Sequence, residues 1–247
     1  MSIKGLTDYA QPLVAGATVL ALGFVVAAGL GSYAAYKVKI AGDTIEVTGS
    51  AKEAVVADFG RWTINLDTKT PVGGQQSGFD RLESATSRII AYLERQGFTD
   101  VETPVPSVNA DYSYPSNGSP IHTGYTVSRQ VIVRSAEVEK ISDLAGNIAP
   151  LTGASYNVTT YGLELTYQKL PDMRVKLLSE AIKDAKARAE AIAKETGRSV
   201  GELRSATGGV VQVLAQGGVD ISDYGSYDTQ SINKDVMVTV RANFTLK

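Results

Sequence analysis

Residues 54–68 read AVVADFGRWTINLDT. Apolar Trp62, Ile64 and Leu66 alternate there with polar Arg61, Thr63, Asn65 and Asp67. Successive side chains of a strand point to opposite faces, so a period of two predicts one face on a core and the other outward. The run Pro71-Val72-Gly73-Gly74 ends the segment, because proline and paired glycines punctuate a strand.

Downstream, Ser77 predicts the cap of a helix in which Leu82, Ala85, Ile89 and Leu93 recur at spacings of 3, 4 and 4 and which stops at Gly97. Val108, Ala110, Tyr112 and Tyr114 then alternate with Asn109, Asp111 and Ser113, and the loop 115–120 turns the chain. Tyr125, Val127, Val131 and Val133 form the apolar side of the next strand. Arg129 falls in phase with that side, which predicts a bulge or a carboxylate partner. Residues 138–148 read as a short helix carrying Ile141, Leu144 and Ile148 along one side. The strand that follows, 154–167, changes apolar phase around Gly162, where a bulge is expected. The order β-α-β-β-α-β is that of the ferredoxin-like plait, a four-stranded antiparallel sheet with two helices on one face.

Outside the plait, residues 43–49 (DTIEVTG) read as a short strand, separated from the next by residues 50–53. Pro171 opens and Gly197 closes a long helix whose expected buried stripe is Val175, Leu178, Ile182, Ala185, Ala189 and Ile192. Two long strands complete the chain, 200–216 and one in which Val236, Val238, Val240, Ala242, Phe244 and Leu246 alternate strictly. The fold class is therefore α+β. A ferredoxin-like subdomain (54–168) is inserted into a second α+β subdomain (43–50 plus 169–247), and the two make up a soluble domain, 41–247.

Residues 1–40 read differently. The stretch 9–36 carries no charge in 28 residues, enough to cross a bilayer as a helix of roughly 40 Å. A signal peptide fits Ser32-Tyr33-Ala34 loosely, but the apolar run exceeds the core usual for one and favours a retained anchor. A buried helix of a soluble core would rarely be free of charge for so long. Gly23, Ala27 and Gly31 form a small-xxx-small face suited to helix packing. Lys4 and the amino terminus on one side roughly balance Lys37 and Lys39 on the other, so charge leaves the orientation open.

Chemistry is sparsely represented. The absence of cysteine excludes disulfides, zinc thiolates and cysteine nucleophiles. A net charge of −2 gives no reason to expect nucleic acid. Tyr112, Tyr114 and Tyr125 are in phase with valines, which favours core packing over base stacking. The sole histidine, His122, stands beside a Pro/Gly/Ser loop, and no G-x-S-x-G turn presents a serine. Asp220, Asp223 and Asp228, in the Gly-rich loop 217–231, lack the EF-hand spacing. The sequons at Asn117, Asn157 and Asn243 fit chance better than glycosylation, since two fall on strands. No catalytic, cofactor-binding or metal-binding residue is assigned, no cofactor or small-molecule substrate is implied, and no enzyme is expected. The polar face of the plait, comprising Arg61, Thr63, Asn65, Asp67, Asn109, Asp111, Ser113, Thr126, Ser128 and Gln130, is the candidate surface for self-assembly.

The segments TIEVTGSAKEAVVAD, VPSVNADYSY, GYTVSRQVIVR and, most specifically, AIKDAKARAEAIAKETGRSVGEL give residues 43–247 a pattern that resembles the SIMPL-domain family. That family includes periplasmic immunogenic and oxidative-stress-associated bacterial proteins. Ser50-Ala51-Lys52 and Val56-Ala57-Asp58 stand where many members carry a second glycine and a Pro-Asp pair. The apolar N-terminal segment looks like that of a membrane-anchored branch. The resemblance implies a two-part α+β domain, export or membrane attachment, and ring- or channel-like homo-oligomers; with the apolar segment, the expected place is the bacterial inner membrane, the soluble part in the periplasm. It implies no established catalytic residues. The expected function is a non-enzymatic envelope protein that partners itself and the membrane; the alternatives are a ligand-binding envelope module using loops 115–122 or 217–231, or a hydrolase.

Overall fold

The computed structural model describes residues 4–41, 43–116, 118–219 and 222–247, and within the first helix the side chains of residue 14 and residues 16–36. That helix, α1 (Lys4–Ala41), contains an apolar window, Gly16–Tyr36, of which nothing is buried. A soluble-core helix would be covered, so that alternative is set aside. By length and composition α1 can span a membrane or serve as a signal sequence.

The remaining elements are β1 (Thr44–Val56), β2 (Phe59–Thr70), α2 (Gln75–Arg95), β3 (Asp100–Glu102), β4 (Ser107–Ser113), β5 (Ile121–Ser135), α3 (Val138–Gly146), β6 (Asn157–Thr166), α4 (Leu170–Glu195), β7 (Val200–Ala215) and β8 (Asn233–Leu246). The chain is mixed α+β, with sheets of antiparallel strands and a long helix ahead of two C-terminal strands. It gathers into two compact units, Met1–Ser50 with Ala181–Gly208 and Val240–Lys247, and Ala51–Glu180 with Gly209–Thr239.

The second unit contains the plait. Its sheet runs β3-β5-β2-β6, with β4 also paired to β5. The plait's second strand is thus broken in two, β3 pairing residues 132–134 of β5 and β4 pairing residues 121–128. Trp62, Ile64, Leu66, Val127, Val131 and Val133 meet Leu82, Ala85, Ile89 and Leu93 of α2 and Ile141 of α3 in one buried core. The bulge expected near Gly162 is present, since Arg61 faces Glu164 whereas Thr63 faces Tyr161. Arg129 keeps an unbroken register with β2 and takes the carboxylate partner, Glu83.

Four expectations are corrected. The strand 43–49 does not stop at residues 50–53: β1 continues to Val56. Its two charges there find ion-pair partners, Lys52 with Asp235 at 3.1 Å and Glu53 with Lys176 at 2.5 Å, so polarity does not end the strand. The break comes at Asp58, whose N–H donates to the Thr166 carbonyl and whose carboxylate accepts the Gln168 N–H.

Ser77 is not the cap of α2. Gly74 holds that position, and the Ser77 hydroxyl donates backward to its carbonyl at 2.8 Å. At the other end, Gly97 (φ +87°) donates to Glu94 and Phe98 donates to Leu93, closing the last turn through a left-handed residue. Gly197 ends α4 in the same manner.

Tyr112 and Tyr114 are exposed, as is Val108. β4 lies against the 121–128 end of β5, whereas the core residues of β5 are at 127–133, so little of the core is available to cover it.

The stripe of α4 is partly different. Ala185 and Ala189 are buried as expected, but in a row with Leu177, Ala181 and Ala193 at strict intervals of four, while Val175 and Ile192 are 70% and 52% exposed. In the first unit β1 presses on α4 at backbone distance: a Cβ built on Gly49 would lie 2.2 Å from the Ala181 carbonyl oxygen. Only methyl-sized side chains fit under such an approach. The Ser50 N–H then reaches the Asp184 carboxylate at 2.8 Å. That bond, with Arg188, holds the Asp184 carboxyl below the usual range.

β1, β8 and β7 form a three-stranded sheet in that order. The alternation expected in β8 is present, with Val236, Val238, Val240, Ala242 and Phe244 all buried.

Candidate functional site

Strand register decides which polar residues share a surface. On β2, Arg61, Thr63, Asn65 and Asp67 point away from the core residues between them. Asn65 faces Gln130, Asp67 faces Ser128, Ser128 faces Ser107, Thr126 faces Asn109, and Asp111 faces Gly124. Nine of the ten candidate residues therefore share the open face by uninterrupted register. Ser113 lies beyond the irregularity between Asp111 and Tyr112 and faces Ile121.

The face is laced with its own polar pairs. Arg61 meets Glu164 at 3.2 Å, Asn157 donates to Asp67 at 2.9 Å, and the Thr126 hydroxyl donates to Asp111 at 2.8 Å. At one edge Arg134 pairs with Glu102 at 2.5 Å and with Asp100 at 3.6 Å. The Glu102 hydrogen bond, assisted by both carboxylates and opposed by burial, raises the guanidinium pKa further. Inside this frame sits Ile132, only 5% exposed although it faces Thr63 and Glu102 on the polar side. Ile132 escaped the sequence reading because residues 131–133 are uniformly apolar, which conceals the face each side chain takes.

Other candidates separate. Gly23, Ala27 and Gly31 lie four residues apart on exposed α1, with open space beside both glycines. His122 is half-buried, its Nε2 2.8 Å from the Gly124 carbonyl oxygen and its ring between Tyr112 and Tyr125 at 5.3 and 4.7 Å. Asp220 lies outside the described residues. Asp228 is engaged by Lys234, whose side chain is fully buried and donates to the Asp228 carbonyl at 2.6 Å and carboxylate at 3.1 Å. Burial pushes the Asp228 carboxyl up, but the Gln230 N–H, Lys234 and Ser231 together hold it below its ordinary value. This pairing ties the 217–231 loop to β8, and no spacing in the sequence announces it. Among the described residues no group of three or more His, Cys, Asp or Glu is placed to hold a metal ion.

A plait with an open polar face, an alanine-striped helix and two long terminal strands define an α+β module, headed by an apolar N-terminal helix able to span a membrane. The chain belongs to the SIMPL family: the family described as "SIMPL: Protein of unknown function (DUF541)" matches residues 45–244. The apolar α1, ahead of that span, supports its membrane-anchored branch. No curated protein matches the chain significantly.

Proposed function

We propose that the protein is a non-enzymatic, single-pass protein of the bacterial inner membrane whose periplasmic domains assemble into a ring- or channel-like homo-oligomer of the cell envelope. The observation that carries this reading is the uncovered apolar surface of Gly16–Tyr36. Each large apolar side chain left in water forgoes about 1.5–3 kcal/mol, and a bilayer supplies the missing cover.

Two features favour self-assembly. The sheet order β1-β8-β7 leaves β7 at an edge, and its residues 202–210 are exposed along both faces. An exposed edge strand is a template for another chain, and a contact repeated by rotation closes a ring when the angle permits. The open plait face, with its polar side chains already oriented, offers a second contact. The resemblance to ring-forming relatives points the same way, and a link to envelope or oxidative stress rests on that resemblance alone. Packing through Gly23, Ala27 and Gly31 adds a modest term.

The test separates domain from anchor. Residues 41–247 in detergent-free buffer should scatter light as a large particle, and the full chain in mild detergent should have a closed-ring mass. A monomer of residues 41–247 at micromolar concentration would sink soluble-domain assembly.

A further inference from the structure

Within the second unit, α2 and residues 155–156 border an open cleft of about 390 Å³ whose lining includes Asp80, Arg81, Ser84, Arg88, Ser155 and Tyr156. Two guanidiniums share it with one carboxylate. Every arginine ion pair among the described residues belongs to Arg61, Arg129, Arg134, Arg188, Arg198 or Arg241, so Arg81 and Arg88 enter the cleft without a carboxylate partner.

Both cations are nevertheless fixed in place. Arg88 donates through Nη2 to the Thr152 carbonyl at 2.8 Å, to the Leu151 carbonyl at 3.5 Å and to the Tyr156 hydroxyl. The Tyr156 hydroxyl in turn donates to Leu151 at 2.8 Å, and the Tyr156 ring lies 5.4 Å below the guanidinium carbon. Tyr156 is itself buried. All the hydrogen bonds of Arg88 use one nitrogen, so among the described residues its Nε and Nη1 hydrogens have no protein acceptor. Arg81 is braced by the Ser77 carbonyl at 3.1 Å and the Ser77 hydroxyl at 3.2 Å. Seven residues separate the two arginines, about two helical turns or roughly 10 Å along the axis, with Ser84 between them.

A guanidinium is a planar fork of donors matched to carboxylate and phosphate oxygens, and holding it beforehand removes the ordering cost of binding. We propose that this cleft binds a small oxyanion ligand, carboxylate or phosphate, with the free edge of Arg88 as its principal donor and Arg81 as the second cation. The Ser155 hydroxyl is exposed beside them as a further donor. The site is separate from the open plait face and from loops 115–122 and 217–231, and it operates whether or not the protein assembles.

The experiment is isothermal titration calorimetry of the full chain in mild non-ionic detergent, with succinate and inorganic phosphate as separate probes at constant ionic strength. At least one probe should give a saturable heat with half-saturation at or below about 1 mM. Arg88→Gln should weaken it roughly tenfold or more. Because Arg88 also braces the 151–156 segment, Ser84→Asp is the second variant: it sets a carboxylate between the arginines at an exposed position. It should weaken the same probe roughly tenfold while leaving the far-UV spectrum and thermal midpoint intact. No saturable heat with either probe, or unchanged half-saturation in Ser84→Asp, would overturn the assignment.

Discussion

Replacing Gly49 by alanine adds one methyl group where the chain has no space for it. The new Cβ would stand 2.2 Å from the Ala181 carbonyl oxygen, 2.4 Å from the Ala185 nitrogen and 2.7 Å from the Ala185 Cβ. Ordinary carbon contacts begin at about 3.5 Å, so β1 and α4 must part by more than about 1 Å. Two of the three obstructing atoms are helix backbone, which cannot rotate aside as a side chain does. Overpacking costs typically 1–3 kcal/mol, and this site belongs at the upper end, about 3 kcal/mol. The Ser50–Asp184 hydrogen bond, one residue along, would stretch with it. For a domain of this size each kcal/mol moves the thermal midpoint by about 2–4 °C, giving a fall of about 6–12 °C. Thermal unfolding followed by far-UV circular dichroism measures it. Gly146→Ala, where a Cβ meets nothing within 4 Å, is the control and should stay within about 0.5 kcal/mol of the parent. A Gly49→Ala protein that melts with the parent would refute backbone contact between β1 and α4.

Two further outcomes concern the second unit. Ile64 is fully buried at the centre of the plait core, so Ile64→Ala should cost about 2–5 kcal/mol and lower the urea midpoint seen by Trp62 fluorescence; an unchanged midpoint would place Ile64 outside the core. Asp235 accepts the Gly217 N–H at 2.9 Å and the Lys52 ammonium at 3.1 Å, which hold its carboxyl below the usual range. A depressed folded-state pKa gives stability that is full above the unfolded aspartate value of about 3.9 and is lost as pH falls through the folded value. Asp235→Asn should therefore lower the thermal midpoint near neutral pH and make its decline below about pH 4 shallower; parallel acid limbs for parent and variant would contradict this.

The plait was legible because its information is periodic. Trp62, Ile64 and Leu66 on β2 and Leu82, Ala85, Ile89 and Leu93 on α2 repeat at the spacing of their own element, and each repeat points at the same core. Gly162 was legible as a bulge because a phase change leaves a local trace. What was hidden depends on partners far along the chain. Lys52 and Glu53 read as an interruption of β1 until Asp235 and Lys176 are beside them. The stripe of α4 was partly misplaced because Val175 and Ile192 outrank alanine in hydrophobicity, whereas the space beneath Gly49 of β1 admits only alanine. Hydrophobicity ranks affinity for a core and does not report how deep the core is. The site candidates divide similarly: nine of the ten residues of the open face follow from parity within strands, while the pairing of Lys234 with Asp228 and the joint presence of Arg81 and Arg88 in one cleft follow only from tertiary placement.

The position of β1 beside β8 imposes an order in time. The strands of the plait all lie between residues 59 and 166 and can pair once that span has left the ribosome. β1 emerges before them, yet its sheet neighbour begins only at residue 233. Synthesis at about 5–20 residues per second leaves β1 without that neighbour for roughly ten to forty seconds. Throughout that interval a strand of 13 residues carries unpaired amide and carbonyl groups a short distance from α1 in sequence. A second copy within reach during that interval would meet an unpaired partner strand, so exchange of strands between copies is easiest while one copy is incomplete.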